Sequence, residues 1–283
     1  MTGFIIRRIL QSIVVIVGVT IIAFSLLHIV PGGPARALLG PRASKVAINA
    51  FNTKYGFNKP FIVQYWDYLV QTVWHHNLGY SFKLNQSVAS LLGHEMPKTL
   101  LMVGVATLLS ILVAIPVGVA QAVRRNRVSD YVGTGVSFFL YAMPTFWAGQ
   151  MLILLLSEKI HLFPAEAPQG STITQILSQP SGLVLPILTL TLITYAAYSR
   201  YMRSSAIEAL AQDWIRTARA KGLSGRVILF KHMLRNALIP IATLVGLSIP
   251  GIFTNGLVAE QVFNYPGTGL DFYNAAVAQD YPL

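Results

Sequence analysis

The stretch TLLMVGVATLLSILVAIPVGVAQA, Thr99–Ala122, decides the fold class. It runs for 24 residues without Asp, Glu, Lys or Arg. A helix rises 1.5 Å per residue, so about 20 apolar residues cross the hydrocarbon core of a bilayer. Lipid offers the backbone no hydrogen-bond partner, and a helix bonds its own N–H and C=O groups. Arg124, Arg125 and Arg127 follow at once and stop the span. Four more uncharged segments are long enough to cross: Ile9–Val30, Tyr131–Ser157, Gly182–Ser199 and Leu238–Ala259. The chain reads as an all-α integral membrane protein with five visible transmembrane helices.

Composition agrees. The 283 residues are 54% hydrophobic and 11% charged, against about 25% charged in soluble domains. Too little polar sequence remains to cover five buried helices in water. The absence of cysteine excludes disulfides and thiolate metal sites. Arg7 and Arg8 precede the first span, which is longer than a signal-peptide core and has no A-x-A site after it, so it reads as a retained helix. Pro116, Pro144, Pro186, Pro240 and Pro250 lie in or at the edges of spans, where they kink helices.

The placement of charge sets orientation. With a cytoplasmic N-terminus, the inner segments 1–8, 123–130 and 200–237 hold 13 of the 21 Lys and Arg residues. Outside the long segment 31–98, the outer side holds one. Positive charge gathers on the cytoplasmic side of membrane proteins. The net charge of +11 is thereby explained without nucleic acid.

Several chemistries are missing from the sequence. It has no G-x-x-x-x-G-K-[ST], no H-E-x-x-H and no G-x-S-x-G motif. His75 and His76 are adjacent, poor spacing for a helical metal pair, and no metal site is expected. The expected spans contain no Asp, Glu, Lys or Arg, whereas ion-coupled carriers place ionisable residues within the membrane. A transporter with neither an ion relay nor a nucleotide site draws its energy from another subunit.

The most informative polar stretch is Arg200–Ala237. Ile207, Leu210, Trp214 and Ala218 recur at helical spacing, opposite Arg203, Glu208, Gln212, Arg216 and Arg219, which reads as an amphipathic helix. Lys221-Gly222 ends it, because glycine takes the left-handed conformation that closes a helix. Ser224 is placed to cap a second helix, through Met233, that returns to the membrane at Leu238-Ile239-Pro240. Pattern alone leaves two roles open, a helix lying on anionic lipid or a dock for a cytoplasmic partner.

The runs RTARAKGLS (Arg216–Ser224) and HMLRNALIP (His232–Pro240) resemble the cytoplasmic loop of binding-protein-dependent ABC importer permeases, closest to the dipeptide/oligopeptide (peptide/nickel) branch. The broader superfamily signature begins EAA, where this chain has Arg216-Thr217-Ala218. Val30-Pro31-Gly32-Gly33-Pro34 resembles that branch's PGDP, with Gly33 replacing the acid. Met96-Pro97-Lys98-Thr99-Leu100, Tyr265-Pro266-Gly267-Thr268-Gly269-Leu270 and Gln279-Asp280-Tyr281-Pro282 resemble its other marks.

The resemblance implies a type I importer permease of the bacterial cytoplasmic (inner) membrane. Residues 1–98 would form a first helix plus an extracytoplasmic segment, and 99–283 the permease core, with a cytoplasmic coupling loop at 200–237. A sixth helix is expected after 283. Asp213, Thr217, Ala218, Ala220, Lys221, Gly222 and Leu223 would contact an ATPase subunit. The implied partners are a second permease subunit, two cytoplasmic ATPases that bind ATP and Mg, and an extracytoplasmic solute-binding protein; this chain itself would bind no cofactor and catalyse no reaction. In span three, Tyr141, Thr145, Trp147 and Gln150 are candidate pathway-lining residues. Dipeptides, longer peptides, nickel complexes and oligosaccharides all stay open as substrates, peptides foremost. The rival readings are an ion-coupled carrier, an intramembrane enzyme or a structural membrane subunit.

Overall fold

The computed structural model describes residues 2–29, 35–36, 39–40, 42–81, 83–278 and 280. The Val30–Pro34 run, and Gln279, Tyr281 and Pro282 of the last run, lie outside the described residues. Among those described, the only strands are two-residue β1 (Tyr80–Ser81) and β2 (Gln86–Ser87), paired antiparallel. The chain forms two compact units, Met1–Gly93 with Phe272–Leu283, and His94–Asp271.

The first unit begins with α1 (Thr2–Ile29), a helix whose apolar window has no buried residue. Next come α2 (Lys45–Tyr55), capped by the Ser44 hydroxyl, and α3 (Phe61–Val73). Phe24 of α1 packs against Phe61, Tyr65 and Tyr68 of α3. The hydroxyl of Ser81 donates to the carboxylate of Asp280, and both side chains are buried.

The second unit holds most of the membrane helices, and here the boundaries differ from the expected spans. The helix α4 (Val88–Val123) starts eleven residues before Thr99 and carries Pro97 and Pro116 within it. The expected span Tyr131–Ser157 is two helices, α5 (Val128–Ala142) and α6 (Thr145–Leu152), the latter continued by a π-turn over Ile153–Lys159. They meet at 105°. The cause is Pro144: it disfavours helical backbone at the residue before it, and Met143 is extended.

A short helix, α7 (Ile173–Leu177), precedes α8 (Val184–Leu210), which runs eleven residues past Ser199. Then come α9 (Asp213–Ala220) and α10 (Gly225–Ser248). The expected span Leu238–Ala259 is divided at Ile249–Gly251, around Pro250, between α10 and α11 (Ile252–Val262). Next comes α12 (Thr268–Ala278). Among the described residues, four helices are long and apolar enough to cross a membrane, or five spans if the bent α5–α6 pair is one.

Two apolar cores organise this unit. One gathers Met102 and Val103 of α4, Leu185 and Leu190 of α8, and Phe263 with Tyr265. The other gathers Ala114 of α4, Met202 and Ala206 of α8, Ile215 and Ala218 of α9, and Met233 and Ile241 of α10. A Cβ at Gly118 would sit 2.8 Å from both Met202 Cβ and the Ser199 carbonyl. Hydrogen alone lets α4 approach α8 so closely, the usual role of small residues between membrane helices.

A partly buried ion pair joins α8 to α5. Arg203 Nε and Nη2 donate to the two oxygens of Asp130 at 2.6 and 2.8 Å. Asp130 also accepts the Asn126 N–H at 3.0 Å, which holds the turn after α4. Arg203 therefore leaves the polar face that periodicity assigned to it. Arg203→Met would strand a buried carboxylate, at a cost of roughly 2–4 kcal/mol. The melting temperature of the detergent-solubilised variant should fall, and Arg203→Met with Asp130→Asn should recover part of the loss. Equal melting temperatures for parent and Arg203→Met would show that the pair contributes nothing.

Candidate functional site

The informative polar loop folds into a short helix between two chain breaks. α8 ends at Leu210, the chain breaks at Ala211-Gln212, and α9 restarts at Asp213. Asp213 lies in its first turn and Arg219 in its last, each favourable to the helix dipole. Gly222 sits at φ 75°, the left-handed region read from the sequence. Its N–H donates to the Arg219 carbonyl at 2.9 Å, and the Leu223 N–H reaches back to Ala218 at 3.3 Å. This double closure is a Schellman motif. A side chain at Gly222 would meet open space, so glycine is required here by backbone angle and not by crowding.

Burial divides the loop in two. Ile215 is fully buried and Ala218 is 5% exposed, both on the second core. Asp213, Arg216, Thr217, Arg219, Ala220, Lys221, Gly222 and Leu223 are exposed. Six of the seven expected contact residues thus form one accessible surface, while Ala218 faces inward and seats the helix. Trp214 is 44% exposed and does not belong to the apolar face; Ile215 takes that place. The break at Ala211-Gln212 resets the helical phase, so a count of 3.6 residues carried from Ile207 across it lands one residue off. The exposed pair Asp213–Arg216, at 3.1 Å, contributes little in water. Ser224 occupies the N-cap of α10, but its side chain makes no capping bond. Residues Ile228–Met233 form a π-turn within α10.

The candidate pathway residues flank the Met143-Pro144 bend. Tyr141, Trp147 and Gln150 are exposed and Thr145 is half-buried. Arg200 of α8 lies over the rings of Phe138 and Tyr141, at 4.2 and 4.8 Å. A small cavity of about 30 Å³, room for a water, lies between α4, α8 and the α10–α11 turn. Thr107, Thr194, Tyr198, Ser248 and Asn255 supply its polar lining.

A third cluster, missed in the sequence, centres on Glu260. Its carboxylate is fully buried and accepts the Thr99 hydroxyl at 2.6 Å and the Gly269 and Leu270 N–H groups at 2.7 and 3.0 Å. The Thr268 N–H donates to Thr99, and the Tyr265 hydroxyl to the Lys98 carbonyl at 2.8 Å. The two runs Met96–Leu100 and Tyr265–Leu270 thereby become one structure. The signal was a lone carboxylate closing the apolar run Ile252–Ala259, ahead of Y-P-G-T-G. Among the described residues no group of three or more His, Asp or Glu side chains is arranged to hold a metal ion.

Beside this cluster, burial above all, then the nearby Glu95 carboxylate, push Asp271 up to about 6, with Lys98 acting against them. Unfolded, the group releases its proton near 3.8. The folded chain therefore holds the extra proton between those values, stability falls as pH rises through them, and it stays lower above. Asp271→Asn should raise the melting temperature at about pH 7.5, and the gain should shrink towards pH 4. A gain independent of pH would show that ionised Asp271 is tolerated without cost.

The chain matches the family model described as binding-protein-dependent transport system inner membrane component over residues 114–283. It matches the model for the N-terminal part of such membrane components over residues 1–103. It is 39% identical over 285 residues to the oligopeptide transport system permease protein AppB of Bacillus subtilis strain 168. It is 32% identical to the dipeptide transport system permease protein DppB of Escherichia coli K12 over 306 residues. To the glutathione transport system permease protein GsiC of Salmonella choleraesuis it is 32% identical over 288 residues. Each alignment covers all of this chain, and 90%, 90% and 89% of the respective relative.

Proposed function

The chain belongs to the binding-protein-dependent transport system inner membrane components, and from that premise we propose that it is one of two permease subunits of an ATP-driven peptide importer. The two subunits enclose the pathway, and two cytoplasmic ATPases bind ATP and Mg. An extracytoplasmic binding protein delivers substrate to the outer segments 31–98 and 158–181. The N-terminus is cytoplasmic, in keeping with the distribution of Lys and Arg.

One observation carries the reading: α9 is a rigid helix whose buried side is fixed to α8 and α10 while its other side is free. A groove on the ATPase would receive Asp213, Thr217, Ala220, Lys221, Gly222 and Leu223. Closure of the ATPases on ATP moves α9, and its seat on the second core carries that motion into two membrane helices. Alternating access needs a bistable arrangement biased in this way. Tyr141, Thr145, Trp147 and Gln150, beside the α5–α6 bend, are assigned to the pathway.

Peptide is the favoured cargo because the relatives are named for oligopeptides, dipeptides and glutathione. All three cargoes are peptides, with a backbone that hydroxyl and amide side chains can recognise.

The test is co-expression with candidate ATPase and partner permease subunits, followed by pull-down and ATPase assay. Gly222→Glu should abolish co-purification, because it strains a left-handed residue by about 1–2 kcal/mol and adds bulk and charge to the docking surface. Gly222→Asn, which tolerates that backbone, should retain it. Intact association and uptake in Gly222→Glu would end the coupling assignment.

A further inference from the structure

The segment between α1 and α4 reads from sequence as an extracytoplasmic stretch. Within it, α3 has the sequence FIVQYWDYLVQTV, with Asp67 as its one charged residue, and Asp67 is paired to Lys59 at 2.7 Å. One side of α3 is taken up by α1. Phe24 packs against Phe61, Tyr65 and Tyr68 at ring separations of 5.4, 5.6 and 5.5 Å. Gln64 bonds His28 at 3.0 Å, and the Tyr65 and Thr20 hydroxyls bond each other at 2.9 Å.

Those partners set the depth of α3. Arg7 and Arg8 hold the inner end of α1 at the membrane surface, and about 20 residues of helix fill the hydrocarbon core, which brings its outer edge to His28. Thr20 lies eight residues short of His28, about 12 Å along the axis, in a leaflet roughly 15 Å deep. The Tyr65 hydroxyl therefore ends at acyl-chain depth. There an unpaired hydroxyl is costly, and Thr20 supplies the partner.

The other side of α3 is bare and apolar. Ile62, Trp66 and Val73 are 78%, 65% and 66% exposed, and their spacing of four and seven residues puts them on one stripe. The neighbouring surface is of the same kind, with Val15, Val19, Ile22 and Leu26 of α1 all exposed. Trp74, at the end of α3, is exposed as well, in keeping with the tryptophan belt of membrane interfaces.

We propose that α3 lies embedded in the outer leaflet, its Ile62–Trp66–Val73 stripe against lipid acyl chains, as an anchor that widens the footprint of α1. Placement in the outer leaflet rests on the proposed cytoplasmic N-terminus; the depth rests on α1 alone.

The chain contains no cysteine, so with partner subunits freed of reactive thiols single spin labels can be placed cleanly. Ile62→Cys, Val73→Cys and, for water, Lys54→Cys on α2 would be labelled with a nitroxide in the full complex in lipid nanodiscs. Ile16→Cys on α1 serves as the lipid reference. Relaxation by oxygen, which concentrates in lipid, is compared with relaxation by a water-soluble chromium complex. Positions 62 and 73 should follow position 16, with oxygen dominant, and position 54 the reverse. Chromium dominance at 62 and 73 would place α3 in water, and weak relaxation by both would place the stripe against protein; either overturns the proposal. ATPase activity of the same labelled complexes separates the two readings. An active complex with α3 in water loses only the anchor, whereas a chromium-dominated position 16 would remove α1 as a span.

Discussion

Hydrocarbon gives a backbone N–H or C=O nothing to bond to, and the irregular parts of this chain are built around that constraint. After α11 the chain turns through Phe263–Gly267, and the N–H groups freed at the start of α12 point into protein. Glu260 accepts two of them and Thr99 a third. The Phe263 carbonyl accepts the Ala167 N–H at 2.8 Å. At Ile249–Gly251 the break is closed locally, with Ile252 N–H donating to Ile249 and Asn255 N–H to Gly251. The break at Ala211-Gln212 is bridged by single turns to Glu208 and Ala209, and its exposed position lets water complete the rest.

The same economy governs charge. Asp130 is buried, yet both of its oxygens are taken by the Arg203 fork, and the Asn126 N–H adds a third bond. The bidentate contact ties α5 to α8 at one defined point. That contact matters, because α8 runs on to the turn that presents α9. One helix therefore carries the arginine of this pair and, within the next two turns, the buried residues Ala206 and Ala209 on which α9 rests.

Much of this was legible in the sequence, and the rest failed for identifiable reasons. Uncharged runs located the membrane helices because hydrophobicity is a sum over residues, insensitive to geometry. Their ends and breaks depend on geometry. Pro144 and Pro250 were visible, but Pro116 lies inside an unbroken helix, so proline alone does not say where a helix divides. Gly222 was read correctly because a left-handed closure is a local demand of the backbone. Ile215 was missed because helical phase is lost across Ala211-Gln212. Glu260 and Thr99 stand 161 positions apart, and no local pattern reports such a pairing.

Coupling is a matter of stiffness. A docking helix transmits force only if it cannot rock on its support. Here Ile215 and Ala218 fix the underside of α9, the Schellman closure fixes its C-terminal end, and only short turns, 211–212 and 221–224, join it to α8 and α10. Under the proposed coupling, a push on the exposed face would reach the ends of two membrane helices through that shared core. The bends lie farther along those same paths, at Ile249–Gly251 beyond α10 and at Met143-Pro144 beyond α5, which the Arg203–Asp130 pair ties to α8. Seated on a core near the proposed point of contact and bent at a distance from it, the chain has the arrangement that the proposed coupling requires.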